Sequence, residues 1–358
     1  MRHNKIPSLL LSLVLLLEAA LCIPLTGCQN SGEWKAPWTK SEEPLSDTKL
    51  ALNTYVTITL YDQKKQSLID HCFDLIDEYE KTFSRTLDYS EISLINQSED
   101  SRISLSEDTE VLLTTALEYA GRTDGALDPT IGAVSSHWDF SSASSSNTSD
   151  PEPVVPSDAQ IQSALPHVNY KKITVENHVL TKTDKHTVLD LGAIAKGYIA
   201  DRLKEYLVAQ GVTSAIINLG GNVLCIGSRP DQTPFQIGIQ KPFEEYNDVI
   251  GSIPVSDCSV VSSGIYERCF RKDGRLYHHI LDPSTGYPVE NNLIGVTVIS
   301  PASVDGDALS TSCMVLGLEE GTRLIESMDG IYAVFITDDY ELHFTEGFME
   351  KYPFITSE

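Results

Sequence analysis

Residues 189–203, LDLGAIAKGYIADRL, set a carboxylate, a glycine and a lysine within a few positions of one another. A short β-like run at 187–191 carries Asp190 near its end, and Gly192 lets the backbone turn without a Cβ clash. Ile194, Tyr198, Ile199, Leu203, Tyr206 and Leu207 then recur at helical spacing up to Gly211, a natural C-terminal stop. With a strand at 214–219 behind it, the segment reads strand–turn–helix–strand. The first amides of such a helix point outward unpaired, which suits an anion. Lys196 falls in the first helical turn, where a cation opposes the helix dipole. That arrangement points to a charged ligand. The same residues also fit an ordinary crossover with Asp190 as a cap and Lys196 in solvent.

A second constellation is Asp307 and Thr311, four apart at the start of the helical stretch DALST, so both oxygens leave one face. A carboxylate and a hydroxyl are hard donors of the kind Mg²⁺ takes alongside waters and phosphates. Asp307 could equally cap its own helix. His278 and His279 precede Ile280-Leu281, and a strand sends one of the two imidazoles inward. Asp282-Pro283-Ser284-Thr285-Gly286 is ordinary turn chemistry. Gly220-Gly221 marks a close backbone approach, to a ligand or to another strand.

The elements that must position these groups are mixed. A first strand is predicted over 51–61, helices over 67–83 and 107–120, and a turn into a short element at 90–96. The run 123–140, TDGALDPTIGAVSSHWDF, has turn composition yet is apolar enough to line a pocket. Further strands are predicted over 236–240, 260–263, 276–281, 294–299 and 331–337, and helices over 307–316 and 318–328. No repeat and no regular βαβ alternation is present, so the expected class is α+β.

The chain has 358 residues and a formal charge of −25, from 26 Lys+Arg against 51 Asp+Glu. This excludes a general nucleic-acid binder and electrostatic adsorption to anionic lipid. An acidic protein that handles an anion needs a local cationic device. Arg2, Lys5 and the apolar run 8–17 form a targeting segment that ends in Leu25-Thr26-Gly27-Cys28. That ending resembles a bacterial lipobox, which implies a signal peptide over 1–27 and lipidation at Cys28. The apolar run is shorter than the ~20 residues a membrane span requires. Polar, proline-containing sequence to residue 47 reads as a tether, and the Ser/Pro-rich stretch 141–156 as a surface loop within one domain at 48–350. Beyond Cys22 and Cys28, five cysteines remain without a CxxC pair, neither a disulfide framework nor a zinc site.

Taken together and in order, LDLGAIAKGYIADRL, INLGGNV, SSGIYER, HHILDPSTGYP and DALSTSCMVLG resemble the FAD:protein FMN transferase family, the ApbE-type bacterial lipoproteins, over about residues 50–342. The resemblance implies a single two-lobed α+β domain of mixed sheets with flanking helices. It implies Mg²⁺-dependent transfer of FMN from FAD to a threonine hydroxyl of a target protein, with release of AMP. Asp307, Thr311 and the Ala193 carbonyl would hold the metal. The FAD contacts of the family map onto Leu52, Ala126, Leu127, Asp128, Asp190, Lys196 and Ile280. Lys196 would also offset phosphate charge, and His279 and Asp282 are the candidates for taking the threonine proton. Two positions depart from the family. Asn53-Thr54 stands where Gly-Thr is usual, and Thr86 stands at the position of a stacking tyrosine, with Tyr89 nearby. The implied setting is a lipid-anchored enzyme on the extracytoplasmic face of the cell membrane, acting on subunits of membrane redox complexes. Mg²⁺-dependent FAD hydrolysis to FMN and AMP, and a non-catalytic flavin-binding lipoprotein, are the alternatives.

Overall fold

The alternating run at 51–61 does not make one strand. It is the second arm of a hairpin, β1 (Leu45–Ala51) and β2 (Thr54–Leu60), turning at Leu52 and Asn53 with φ of 53° and 57°. Positive φ at both positions is the requirement of a type I′ two-residue turn, and asparagine tolerates it well. The computed structural model describes residues 43–140, 153–244 and 248–357. The leader at 1–27, Cys28, the tether as far as residue 42 and the loop over 141–152 lie outside them. The last tether positions, 45–47, belong to β1.

After the hairpin come α1 (Gln66–Phe83), α2 (Glu91–Gln97), β3 (Arg102–Ser104), α3 (Glu107–Arg122), α4 (Gly132–Ser135) and α5 (Asp158–Ala164). The middle of the chain forms β4 (Ile173–Glu176), β5 (Val179–Lys182), α6 (Ala195–Ala209), β6 (Ser214–Leu219), β7 (Asn222–Gly227), β8 (Phe235–Gln240) and β9 (Val249–Val255). It closes with β10 (Ser259–Gly264), β11 (Cys269–Lys272), β12 (Arg275–His278), β13 (Leu293–Ser300), α7 (Ser303–Glu326), β14 (Tyr332–Thr337), β15 (Leu342–Phe344), α8 (Phe348–Lys351) and β16 (Ile355–Thr356).

An eight-stranded sheet in the order β1-β2-β6-β7-β10-β13-β14-β15 is the frame. Its named pairings are antiparallel, as are those of the small sheets β3-β5-β4, β16-β9-β8 and β11-β12. Side chains alternate between two apolar layers. Ala333 and Phe335 of β14 join Ile217 and Leu219 of β6 on the face covered by α1, α6 and α7. Val334 and Ile336 instead join Cys225, Phe235, Ile237 and Phe348 on the other face. With cover on both sides, β13 is buried at all eight positions, which is why LIGVTVIS reads as a continuous apolar run. The break in α7 at Gly317, φ 80°, falls between the two helices predicted there. Among the described residues no helix is long and apolar enough to cross a membrane.

Two sequence expectations are corrected. Residues 187–191 form no strand: Val188 makes a single parallel bridge to Ile131, and the flanking groups bond to helix α2 and to the loop at Pro129. Asn96 brackets Leu189, Nδ2 donating to its carbonyl at 2.9 Å and Oδ1 accepting its N–H at 2.7 Å. The strand predicted to 281 stops at His278, because His279 N–H donates to the Arg268 carbonyl and Asp282 N–H to that of Tyr287, outside any ladder.

Candidate active site

Helix α6 begins two residues after Ala193 and meets the start of α7 almost without a gap. A Cβ on Gly197 would sit 2.4 Å from the Ser303 carbonyl oxygen, so only glycine permits this crossing. One turn later Asp201 accepts the N–H groups of Ser303 and Val304 at 2.8 and 2.9 Å, capping α7 from outside. Burial holds the Asp201 carboxyl up at about 6 against those hydrogen bonds. Two positions four apart on α6 thus fix where α7 starts, and with it Asp307 and Thr311.

The consequence at Asp307 is specific. Gly197 N–H, whose acceptor in a regular helix would be the Ala193 carbonyl, donates instead to Asp307 Oδ2 at 2.9 Å. Ala193 is left with a carbonyl lacking its helical donor, on the wall of the same cavity as Asp307 and Thr311. Asp307 is 3 % exposed, and burial raises its carboxyl above the ordinary range while Lys196 and the amides oppose the shift. A buried carboxylate, a hydroxyl and an unclaimed carbonyl make an all-oxygen set that fits Mg²⁺. Among the described residues no group of three or more His, Cys, Asp or Glu could hold a metal.

These groups share a cavity of about 310 Å³. Its wall includes Thr86, Ala126, Leu127, Asp128, Asp190, Ala193, Lys196, His279, Ile280, Asp307 and Thr311 from the sequence prediction. Leu52 and Asp282 are not on it. The neighbouring Asn53 takes the place at the hairpin tip, and Asp282 Oδ1 is committed to Ser284, accepting its N–H at 2.8 Å and its Oγ at 2.7 Å. Asp282 thus braces its own turn through Oδ1, off the cavity wall. Tyr89 is 65 % exposed and absent from the wall, so it supplies no stack beside Thr86. Asp128 lines the cavity but braces its loop, with Thr130 N–H and Oγ1 on Oδ1 and Tyr170 N–H on Oδ2.

Of His279 and Asp282, the two candidates for taking the proton, His279 is the one on the cavity wall. Burial first, then the positive charges of Arg268 and Lys196, lowers its imidazole to about 3, and Nδ1 has no hydrogen-bond partner among the described residues. It faces the cavity neutral. Glu267, open to the cavity yet walled round by protein, has its carboxyl raised by burial, with Lys196 and Arg268 pulling the other way. Ser135, Trp138, Asp139 and Phe140 come from the run 123–140 expected to line a pocket, whereas Glu267, Arg268 and Arg85 are wall residues that sequence reasoning did not single out. For Glu267 and Arg268 the signal lay inside the quoted SSGIYER. For Arg85 it lay one position before Thr86. In all, three cations (Arg85, Lys196, Arg268) face five acids (Asp128, Asp139, Asp190, Glu267, Asp307) on the wall. An anionic ligand entering that balance needs an added cation.

The ApbE family model matches residues 52–335. The FAD:protein FMN transferase of Treponema pallidum is 30% identical over 327 residues, 86% of this chain and 88% of that protein. Among solved structures, the flavin transferase ApbE of Vibrio cholerae superposes with a TM-score of 0.76 at 29% identity, over 86% of this chain and 99% of its own. The ApbE protein of Thermotoga maritima superposes with a TM-score of 0.77 at 30% identity, over 88% and 100%.

Proposed function

The chain belongs to the ApbE family, and from that membership we propose that it transfers the FMN half of FAD to a target protein. The observation that carries the reading on this chain's own residues is the gathering of Asp307, Thr311, Ala193, Lys196 and His279 on one cavity wall. In the finer reading the acceptor is a threonine hydroxyl, AMP is the leaving group and Mg²⁺ is required.

The chemistry follows from the residues. Asp307, Thr311 and the Ala193 carbonyl would hold Mg²⁺, which supplies positive charge against the pyrophosphate oxygens. Lys196, at the start of α6, adds a second charge beside the phosphate. As the threonine oxygen bonds to the FMN phosphorus, the bond from that phosphorus to the AMP oxygen breaks and AMP departs. His279 accepts the hydroxyl proton. Its basicity is low in the free protein, and a dianionic pyrophosphate arriving beside it favours the protonated form. FAD is a substrate here, and the acceptor is a protein of the membrane redox complexes. We further propose lipid anchoring through Cys28 at the extracytoplasmic face, a reading that rests on the LTGC sequence.

The test is an intact mass of a threonine-bearing target fragment after incubation with the protein, FAD and Mg²⁺. An added FMN mass, lost with chelator and lost in Asp307→Ala, is expected. Free FMN and AMP beside an unmodified authentic target would favour hydrolysis, and unconsumed FAD a binding protein. Undiminished Mg²⁺-dependent transfer by Asp307→Ala would falsify the metal assignment. For the anchor, Cys28→Ser should move the expressed protein from the membrane to the soluble fraction; retention in the membrane would refute it.

A further inference from the structure

Arg85 differs from the other two cations of the cavity. Lys196 and Arg268 both act on the Glu267 carboxyl and the His279 ring, at the end of the cavity where the chemistry is proposed. Arg85 stands with Asp190 instead, its Nε donating to Asp190 Oδ2 at 3.0 Å. That oxygen also accepts Ser135 Oγ at 2.8 Å, Oδ1 accepts the Gly192 N–H at 3.0 Å, and Asp190 N–H donates to the Pro129 carbonyl at 2.9 Å. The carboxylate is held by three hydrogen bonds, two on Oδ2 and one on Oδ1. It fixes the guanidinium through one of five N–H groups, and the four on Nη1 and Nη2 have no partner among the described residues. The Arg85 side chain keeps 27 % of its surface open, and Arg85 and Gly192 both line the cavity. A guanidinium held from behind, its fork free, suits an oxyanion far better than solvent alone.

We infer that Arg85 binds a phosphate of the dinucleotide and that Asp190 is a positioning residue acting through it, an inference that rests on the FAD reading above. The ligand chemistry is a phosphate oxyanion, carried either by the AMP half or by the FMN half. With both Asp190 oxygens already accepting hydrogen bonds, direct contact of that carboxylate with the ligand is the weaker account.

The experiment measures equilibrium binding to the full chain with Mg²⁺ present, using FAD, FMN, AMP and phosphate-free riboflavin. Arg85→Gln should weaken FAD about 10- to 100-fold, the range of a charged hydrogen bond. Arg85→Lys, which keeps the charge but not the fork, should recover part of the loss and guards against a folding defect. Riboflavin affinity should not change, and whichever of AMP or FMN weakens identifies the phosphate. Asp190→Asn should reproduce the loss, and the double variant should lose no more than either single one. Wild-type affinity for FAD in Arg85→Gln, or riboflavin weakened as much as FAD, overturns the assignment to Arg85. Additive losses in the double variant overturn the positioning role of Asp190. Wild-type transfer in the same preparations keeps the two readings apart: if the wild type transfers FMN, a flat Arg85→Gln result sinks this inference alone.

Discussion

At the scale of single residues the site is built from buried groups held in the charge state that burial dislikes least. His278 and His279 are adjacent, both carry an Nδ1 without a partner among the described residues, and burial lowers them to about 4 and about 3. His279 lines the cavity, whereas His278 bonds through Nε2 to the Val289 carbonyl at 3.1 Å and is structural. The sign of the His278 effect is fixed. The unfolded chain takes up that proton near 6.5 and the folded chain only near 4, so its stabilisation is complete above 6.5 and lost as pH falls toward 4. By pH 5 the loss amounts to about 2 kcal/mol. Asp201, raised to about 6 from 3.8, works in the opposite direction, losing its contribution as pH rises through 6. Denaturant unfolding of wild type and His278→Gln at pH 7 and pH 5 isolates the histidine: the variant should lose less stability on acidification, and equal losses would rule His278 out. The pairing of Asp307 with Thr311 was legible as a helical i, i+4 spacing. Which of His278 and His279 faces the cavity was not, because strand alternation says only that one of them turns inward.

At the scale of elements, the approach of α6 to α7 matters most. The sequence marks α6 by its apolar spacing, but Gly197 inside it looks like a mere weakness in a helix. Its reason lies over 100 residues away at Ser303, and no local pattern carries that information. The run at 187–191 misled for a related cause, since an apolar stretch held by Asn96 and Pro129 has the composition of a strand without a ladder. Strands β3, β4 and β5, three or four residues each, are too short for a period of two to register. Gly197→Ala forces a methyl against the Ser303 carbonyl, and overpacking of this kind costs about 1–3 kcal/mol. Because the same residue aims its N–H at Asp307, the variant should also raise the Mg²⁺ concentration needed for half-maximal transfer. Thermal unfolding and a Mg²⁺ titration read the two effects separately. A variant with lowered stability and an unchanged Mg²⁺ requirement would show that the α6–α7 crossing does not set the metal ligands.

At the scale of the whole molecule, the eight-stranded sheet separates chemistry from support. The wall of the cavity draws on β10, the starts of α6 and α7 and the loops before and after them, while the opposite face carries β8, β9 and the C-terminal residues packed by Phe348. An α+β class followed from the sequence because helices and strands come without alternation; the order of the sheet did not, since β1 and β15, its two edges, are paired by contacts distant from the motifs. This division makes a last prediction. Phe348 is fully buried, 5.0 Å from the Phe344 ring and 6.0 Å from that of Tyr352, in the apolar layer of Cys225, Phe235 and Ile237. Truncation in Phe348→Ala should cost about 3–5 kcal/mol through lost burial and the space left behind. At a temperature where the variant is still folded, its KM for FAD and its transfer rate should match wild type, since Phe348 belongs to the apolar layer with β8 and β9 and not to the one that carries α6 and α7. Parallel melting curves and transfer kinetics decide the matter. A raised KM in a fully folded variant would mean that the supporting layer also sets the geometry of the site across the sheet, through β13 and β14, whose side chains belong to both layers at once.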